Sequence, residues 1–111
     1  MLKEDFKGKP INSFTLMGKK YHVKSWKAML LKICHIMFLN HKDEFEKIMY
    51  LGVRDKNCFS LNQHEFLEHE KIVDTDIFVD LNLTKMDIVT LCKEILSFYG
   101  YKESDFTIET T

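Results

Sequence analysis

The sequence predicts an α+β fold in which a small mixed or antiparallel sheet packs against about three helices, in the order ββααβαβ. Eleven of the fifteen residues from Ser25 to Leu39 are apolar, and they recur at helical spacing. Apolar and polar residues alternate on both sides of Gly18 and again over residues 76–82, as is typical of strands. A chain of 111 residues supports one core. We therefore expect a single domain over residues 1–111, with residues 1–9 as a loose N-terminal segment.

A β-hairpin leads directly into the longest helix. Residues 12–17 and 21–24 alternate as strands on either side of a turn that begins at Gly18. Ser25 then offers its side-chain oxygen as an N-cap, and the helix runs to Asn40. This helix is the predicted centre of the core.

A second, shorter helix is predicted over residues 41–51, and Gly52 is expected to end it. The two helices would form an αα-hairpin. Residues 53–74, in contrast, contain apolar residues that follow neither a helical nor a strand spacing over any sustained stretch. They are the longest irregular region of the prediction, and loops of this kind carry function disproportionately often.

A strand, a third helix and a terminal strand complete the prediction. Residues 76–82 place alternate apolar side chains on one face of a strand. Thr84 begins the third helix as its N-cap, and Gly100 closes the helix at the C′ position. The last strand spans Phe106–Glu109.

The sequence predicts neither a membrane span nor a secretory signal. The longest unbroken apolar runs are four residues long, at 28–31 and 36–39. The N-terminus carries Glu4 and Asp5 where a signal peptide needs an apolar stretch. We therefore expect a cytoplasmic protein with no membrane partner.

Charge is unevenly distributed, although the net charge is only −1. Residues 1–32 hold eight lysines against two acids, a balance of +6, whereas residues 33–111 hold eight basic against fifteen acidic residues, a balance of −7. Arg54 is the only arginine among the sixteen basic residues. The chain therefore has a single side chain of the type that recognises phosphate or guanine through two parallel hydrogen bonds.

The three cysteines are expected to be free thiols. Their number is odd, and no C-x-x-C pair occurs. Cys34 and Cys92 fall on apolar helical faces, where a thiol behaves as a small hydrophobic side chain, so both are predicted to be buried. Cys58 lies in the irregular region and is expected to be more accessible.

No constellation for catalysis is readable. His64 and His69 are five residues apart, about 140° around a helix, whereas a zinc helix needs its two histidines at i and i+4. His64 with Glu68, or Glu65 with His69, is the nearest approach to a metal pair, and a solvated acidic loop is the favoured interpretation. We predict no enzymatic activity, no cofactor and no metal.

Two charged surfaces are candidates for binding. The first is acidic and is predicted to contact a protein partner through Glu65, Glu68, Glu70, Asp74 and Asp76. The second is basic and would contact nucleic acid or a partner through Lys19, Lys20, Lys24, Arg54 and Lys56. The aromatic residues among these cations, Tyr21 and Phe59, are expected to belong to the core.

A set of short motifs extends over about residues 9–109. The motifs are Pro10-Ile11 with Phe14, Ser25-Trp26, Phe59-Ser60, Asn82-Leu83-Thr84, and Phe98-Tyr99-Gly100-Tyr101. The chain thereby resembles a small uncharacterised module, found alone or as a C-terminal appendage of restriction- and defence-associated proteins of bacteria and phages. The matching residues are caps, turns and core positions. The resemblance implies a stand-alone copy of an accessory domain.

Two departures from that module bear on function. The module tends to carry a basic stretch before its Phe-Ser pair, where this chain has Gly52-Val53-Arg54-Asp55-Lys56-Asn57-Cys58, and this argues against a nucleic-acid role. The module's final Phe-Gly-Tyr has one inserted residue, Tyr99, here.

Our first hypothesis is a non-enzymatic protein-binding module of a phage or mobile element. Such a module would inhibit a host nucleic-acid-targeting defence system, as anti-restriction or anti-CRISPR proteins do. The alternative is a nucleic-acid-binding accessory domain of a restriction or defence protein.

Overall fold

The computed structural model describes residues 9–111 and shows an α+β fold, which confirms the predicted class. The helices are α1 (Trp26–Asn40) and α2 (Lys85–Phe98), with 3₁₀ helices over Lys42–Tyr50, Gln63–Glu65 and Glu103–Asp105. The strands are β1 (Ile11–Leu16), β2 (Lys19–His22), β3 (Gly52–Val53), β4 (Lys56–Asn57), β5 (Phe59–Ser60), β6 (His69–Lys71), β7 (Phe78–Asp80) and β8 (Phe106–Thr110). The predicted loose segment lies outside the described residues, except for Lys9.

The strands form three antiparallel sheets within residues 9–111. β1 lies between β2 and β8, β3 pairs with β4, and β7 lies between β5 and β6. In the first sheet, Phe14 pairs with Tyr21 on one side and with Ile108 on the other. The predicted hairpin and terminal strand therefore pair as expected. The strand at 78–80 belongs to a separate sheet.

Helix α1 lies at the centre of the core. The Ser25 hydroxyl accepts a hydrogen bond from the backbone N–H of Ala28 at 3.0 Å, so it is the predicted N-cap. The buried side of the helix packs against α2. The fully buried side chains on α1 are Met29, Leu30, Ile33, Cys34 and Met37. They lie within an arc of about 140° around the helix axis. Only Lys32, Leu39 and Asn40 of α1 are exposed, so the polar side of α1 is narrow.

Helix α2 begins and ends as the sequence predicts. The Thr84 hydroxyl accepts from the Asp87 N–H at 3.1 Å. At the other end, Gly100 has a φ of +92° and donates its N–H to the carbonyl of Ser97, while Tyr101 donates to Leu96. These two bonds form a Schellman motif, which requires a residue that tolerates the left-handed region.

The predicted second α-helix is wrong in type and in its end. Residues Lys42–Tyr50 form a 3₁₀ helix, and the Leu51 N–H bonds to Ile48 three residues earlier. Gly52 does not have a positive φ, so it is not a helix cap. It belongs to β3, where it lies against the backbone of Lys56.

The region predicted to be irregular contains ordered strands. β3 and β4 form a hairpin whose two turn residues, Arg54 and Asp55, have φ values of +52° and +61°. β5 and β6 lie on the two sides of β7. Strands of two or three residues are too short to show a period in the sequence, which explains why the predicted order lacks them.

All three cysteines are buried free thiols. The prediction is confirmed for Cys34 and Cys92 and is wrong for Cys58, which is 0% exposed. Cys58 donates its N–H to the carbonyl of Leu51, and its carbonyl accepts from the N–H of Asp80. These two bonds join the β3–β4 hairpin to the sheet of β7, and Cys58 is covered as a result. Burial raises the pKa of each of the three thiols.

We expect no cysteine to react with a thiol reagent within minutes under native conditions at pH 8. A thiol reacts as its thiolate, and burial both blocks access of the reagent and raises the thiol pKa. Raising the pH to about 9, where an exposed thiol would ionise, should therefore not start the reaction. In denaturant all three should react. Colorimetric thiol titration checks this, and rapid native labelling of Cys58 would contradict it.

No helix within residues 9–111 is both long and apolar enough to cross a bilayer.

Candidate protein-binding surface

The predicted acidic residues are all exposed, and we call them the acidic surface: Glu65, Glu68, Glu70, Asp74 and Asp76. Glu65 ends a short 3₁₀ helix, which begins where the Asn62 side chain accepts from the His64 N–H at 3.0 Å. Glu70 lies in the middle of β6. The chain therefore holds these carboxylates on short, hydrogen-bonded elements.

The turn from β6 to β7 positions the two aspartates of the acidic surface. Thr75 donates its N–H and its hydroxyl to the carbonyl of Ile72, and its hydroxyl oxygen accepts from the N–H of Ile77. Asp74 has a φ of +67°, which an aspartate tolerates better than most residues. The turn is therefore ordered by its own hydrogen bonds, and both carboxylates remain exposed.

Two members of the acidic surface contact the narrow polar side of α1. Lys27 donates to the Glu68 carboxylate at 2.7 Å, and His35 Nε2 lies 3.8 Å from Asp74 Oδ2. Within residues 9–111, Glu65, Glu70 and Asp76 have no ion-pair partner. The surface therefore keeps three carboxylates whose charge is not compensated locally.

Exposed apolar side chains accompany these carboxylates. Leu67 is 93% exposed, Leu61 is 64% exposed and Val73 is 57% exposed. The sequence analysis missed them as surface residues. The alternation of Leu67, His69, Lys71 and Val73 could have indicated an exposed strand face, but it is masked by the acidic residues between them.

The basic residues lie on two different hairpins. Lys19, Lys20 and Lys24 are exposed at the β1–β2 hairpin, whereas Arg54 and Lys56 belong to the β3–β4 hairpin of another sheet. The sequence correctly places Tyr21 and Phe59 in or against the core, since Tyr21 stacks on Phe14 at 5.0 Å and Phe59 is buried. Phe59 is therefore not available to stack on a base, and one face of the Tyr21 ring is covered by Phe14.

Several of these cations have partners within the chain. Lys20 bonds to Glu109 at 3.0 Å, and together with Ser13 it lowers the pKa of the Glu109 carboxyl. Arg54 donates to Asp87 at 2.7 Å. The only arginine of the chain therefore holds the start of α2, and this pairing competes with any contact to phosphate.

His64 and His69 lie in different surroundings. His64 is exposed, while His69 packs edge-on against Phe78 at 5.5 Å. In the part of the chain from residue 9 onward, no group of three His, Cys, Asp or Glu side chains is placed to hold a metal ion. What this region presents is a set of carboxylates and apolar side chains that are suited to contact with another macromolecule.

Comparison of the chain with models of protein families, with curated proteins and with solved structures found no match. The resemblance drawn from the sequence motifs therefore stays a prediction. The acidic surface, by its geometry and charge, is the feature from which a function can be inferred.

Proposed function

We propose that this chain is a non-enzymatic protein-binding module whose acidic surface binds a basic surface of another protein. The observation that carries this proposal is the combination, within residues 61–76, of uncompensated carboxylates with strongly exposed Leu61, Leu67 and Val73. Burial of apolar side chains supplies affinity, and charge complementarity supplies steering and specificity. Protein interfaces combine these two features.

The partner that fits this surface is a protein with a cationic groove, such as a nuclease or another nucleic-acid-binding complex. A groove that binds nucleic acid is lined by cations that neutralise phosphates. Protein carboxylates carry the same sign of charge, so they can occupy such a groove. The motif resemblance supports a phage or mobile-element origin and an inhibitory role against a host defence system of the restriction or CRISPR type. Both protein and partner would then meet in the cytoplasm.

Charge reversal of the uncompensated carboxylates tests the proposal. We would replace Glu65, Glu70 and Asp76 by lysine and leave Glu68, because a lysine there would face Lys27. Each exposed substitution should change the free energy of unfolding by no more than about 0.5 kcal/mol. Affinity capture from bacterial lysate over a salt series should then lose the partner that the parent chain retains.

A matched variant with Lys19 and Lys24 replaced by glutamate is the control, because both side chains are exposed and neither takes part in the Lys20–Glu109 pair. It should retain the partner. Loss of the partner in this control, with retention in the acidic-surface variant, would overturn the proposal. A shift of DNA or RNA mobility at low salt, weakening steeply as salt rises, would support the nucleic-acid-binding alternative.

A further inference from the structure

We propose that β6 is a docking edge, to which an extended segment of the partner adds as a further antiparallel or parallel strand. This inference rests on the proposed function and specifies how the acidic surface recognises its partner. The occupant is a protein segment in which basic and apolar residues alternate. Strand addition of this kind derives affinity from main-chain hydrogen bonds and specificity from alternate side chains.

Among residues 9–111, the register of the sheet leaves one side of β6 unpaired. Leu81 donates its N–H to Glu68 at 2.8 Å, Ile72 donates to Ile77 at 2.9 Å, and Glu70 lies opposite Val79. In an antiparallel ladder, alternate residues bond to the same neighbour. The even-numbered residues of β6 therefore bond to β7. The N–H and carbonyl groups of His69 and Lys71 point away from the sheet.

β6 differs from the free edge of the first sheet. That edge, β2, carries the exposed Lys19 and Lys20, and Lys20 is tied to Glu109. Lysines on an edge discourage pairing with other chains. β6 has one exposed lysine, Lys71, and it lies between Leu67 and Val73, both strongly exposed and apolar. These side chains would become buried against an added strand.

The alternation of side chains defines the occupant. Within β6, His69 and Lys71 share one face and Glu70 lies on the other, while the exposed Leu67 and Val73 flank the strand. α1 reaches this side through the Lys27–Glu68 pair, whereas Glu70 is exposed and has no ion-pair partner within residues 9–111. An added strand would place apolar side chains beside Leu67 and Val73, and basic ones beside Glu70. β6 has three residues, so a segment of about six residues would cover the strand and the flanking side chains of Leu67 and Val73.

The test uses a synthetic fluorescent hexapeptide of alternating lysine and valine. We expect it to bind the full chain in fluorescence anisotropy, and to shift and protect the amide signals of His69 and Lys71 in NMR spectra. The same peptide with N-methyl groups on the residues that face β6 keeps its charge and loses those hydrogen bonds. It should bind at least about tenfold more weakly, the factor that corresponds to roughly one net hydrogen bond.

Variants of the chain locate the contact. Lys71→Pro should prevent binding while leaving the ladder intact, because the Lys71 N–H points away from β7. Leu67→Ser combined with Val73→Thr avoids any backbone change and should weaken binding about tenfold or more, since it removes apolar area from the contact. Leu39→Ser, at an exposed leucine of α1 that is not part of the acidic surface, should leave the affinity unchanged.

The outcomes separate this inference from the proposed function. Equal binding of the N-methylated peptide, or no saturable binding of the hexapeptide, would overturn strand addition. If charge reversal of Glu65, Glu70 and Asp76 still abolishes partner capture in that case, the proposed function stands. The acidic surface would then bind its partner by a mode other than strand addition. If the reversal leaves capture unchanged, the proposed function fails independently.

Discussion

Replacing Gly52 by alanine should destabilise the protein by about 3 kcal/mol or more, because the change overpacks a backbone contact. A Cβ at this position would overlap the carbonyl group of Lys56 and lie 2.9 Å from the Cα of Asn57. These are backbone atoms of β4, so no side chain can rotate to make room. The β3–β4 hairpin would have to open, although its two-residue turn holds the strands close together.

Opening of this hairpin would also disturb the core. Val53 in β3 and Cys58 just after β4 are buried, and β3 packs against α2. Thermal unfolding followed by circular dichroism should therefore show a midpoint lower by more than about 10 °C. Gly18→Asn is the control, since Gly18 has open space around it and its φ of +83° is one that asparagine tolerates. A midpoint for Gly52→Ala equal to that of the control would contradict the close approach of β3 and β4.

Replacing Leu91 by alanine should lower the free energy of unfolding by about 2–5 kcal/mol. Leu91 is 0% exposed in the middle of α2, on the side that faces the core. Its truncation removes apolar contact and leaves a cavity that the packed neighbours can only partly fill. Urea denaturation followed by tryptophan fluorescence measures the change, because Trp26 is buried in the same core.

Met86→Ala is the matched control for this prediction. Met86 lies on the same helix but is 47% exposed, so its truncation should change the free energy of unfolding by no more than about 0.5 kcal/mol. Helix propensity is slightly better for alanine than for methionine, so the control does not weaken α2. Equal losses for the two variants would show that the buried face of α2 is assigned wrongly.

The long elements could be predicted because local chemistry and burial point to the same answer. The apolar spacing of α1, the Ser25 and Thr84 caps and the Gly100 terminus are visible within a few residues of sequence, and each has the expected hydrogen bonds. The alternation of β1 likewise places Phe14 and Leu16 in the core. Such signals are local, so one sequence is sufficient to read them.

The candidate site was predictable in its charges but not in its geometry. That Glu65, Glu70 and Asp76 would be exposed followed from their type. The pairing of Glu68 with Lys27, forty-one positions away in the chain, did not. Nor could the sequence show that Arg54 donates to Asp87, a pairing that competes with any other contact of the guanidinium group.

The sequence alone thus determined the fold class, the two long helices with their caps, and the charge of the acidic segment, because each depends on the order of neighbouring residues. The tertiary structure decided the role of Gly52, the burial of Cys58 and the free edge of β6. Each of these depends on which distant backbone lies alongside. β3, β5 and β6 are only two or three residues long, so they form by pairing across the chain and leave no period of their own.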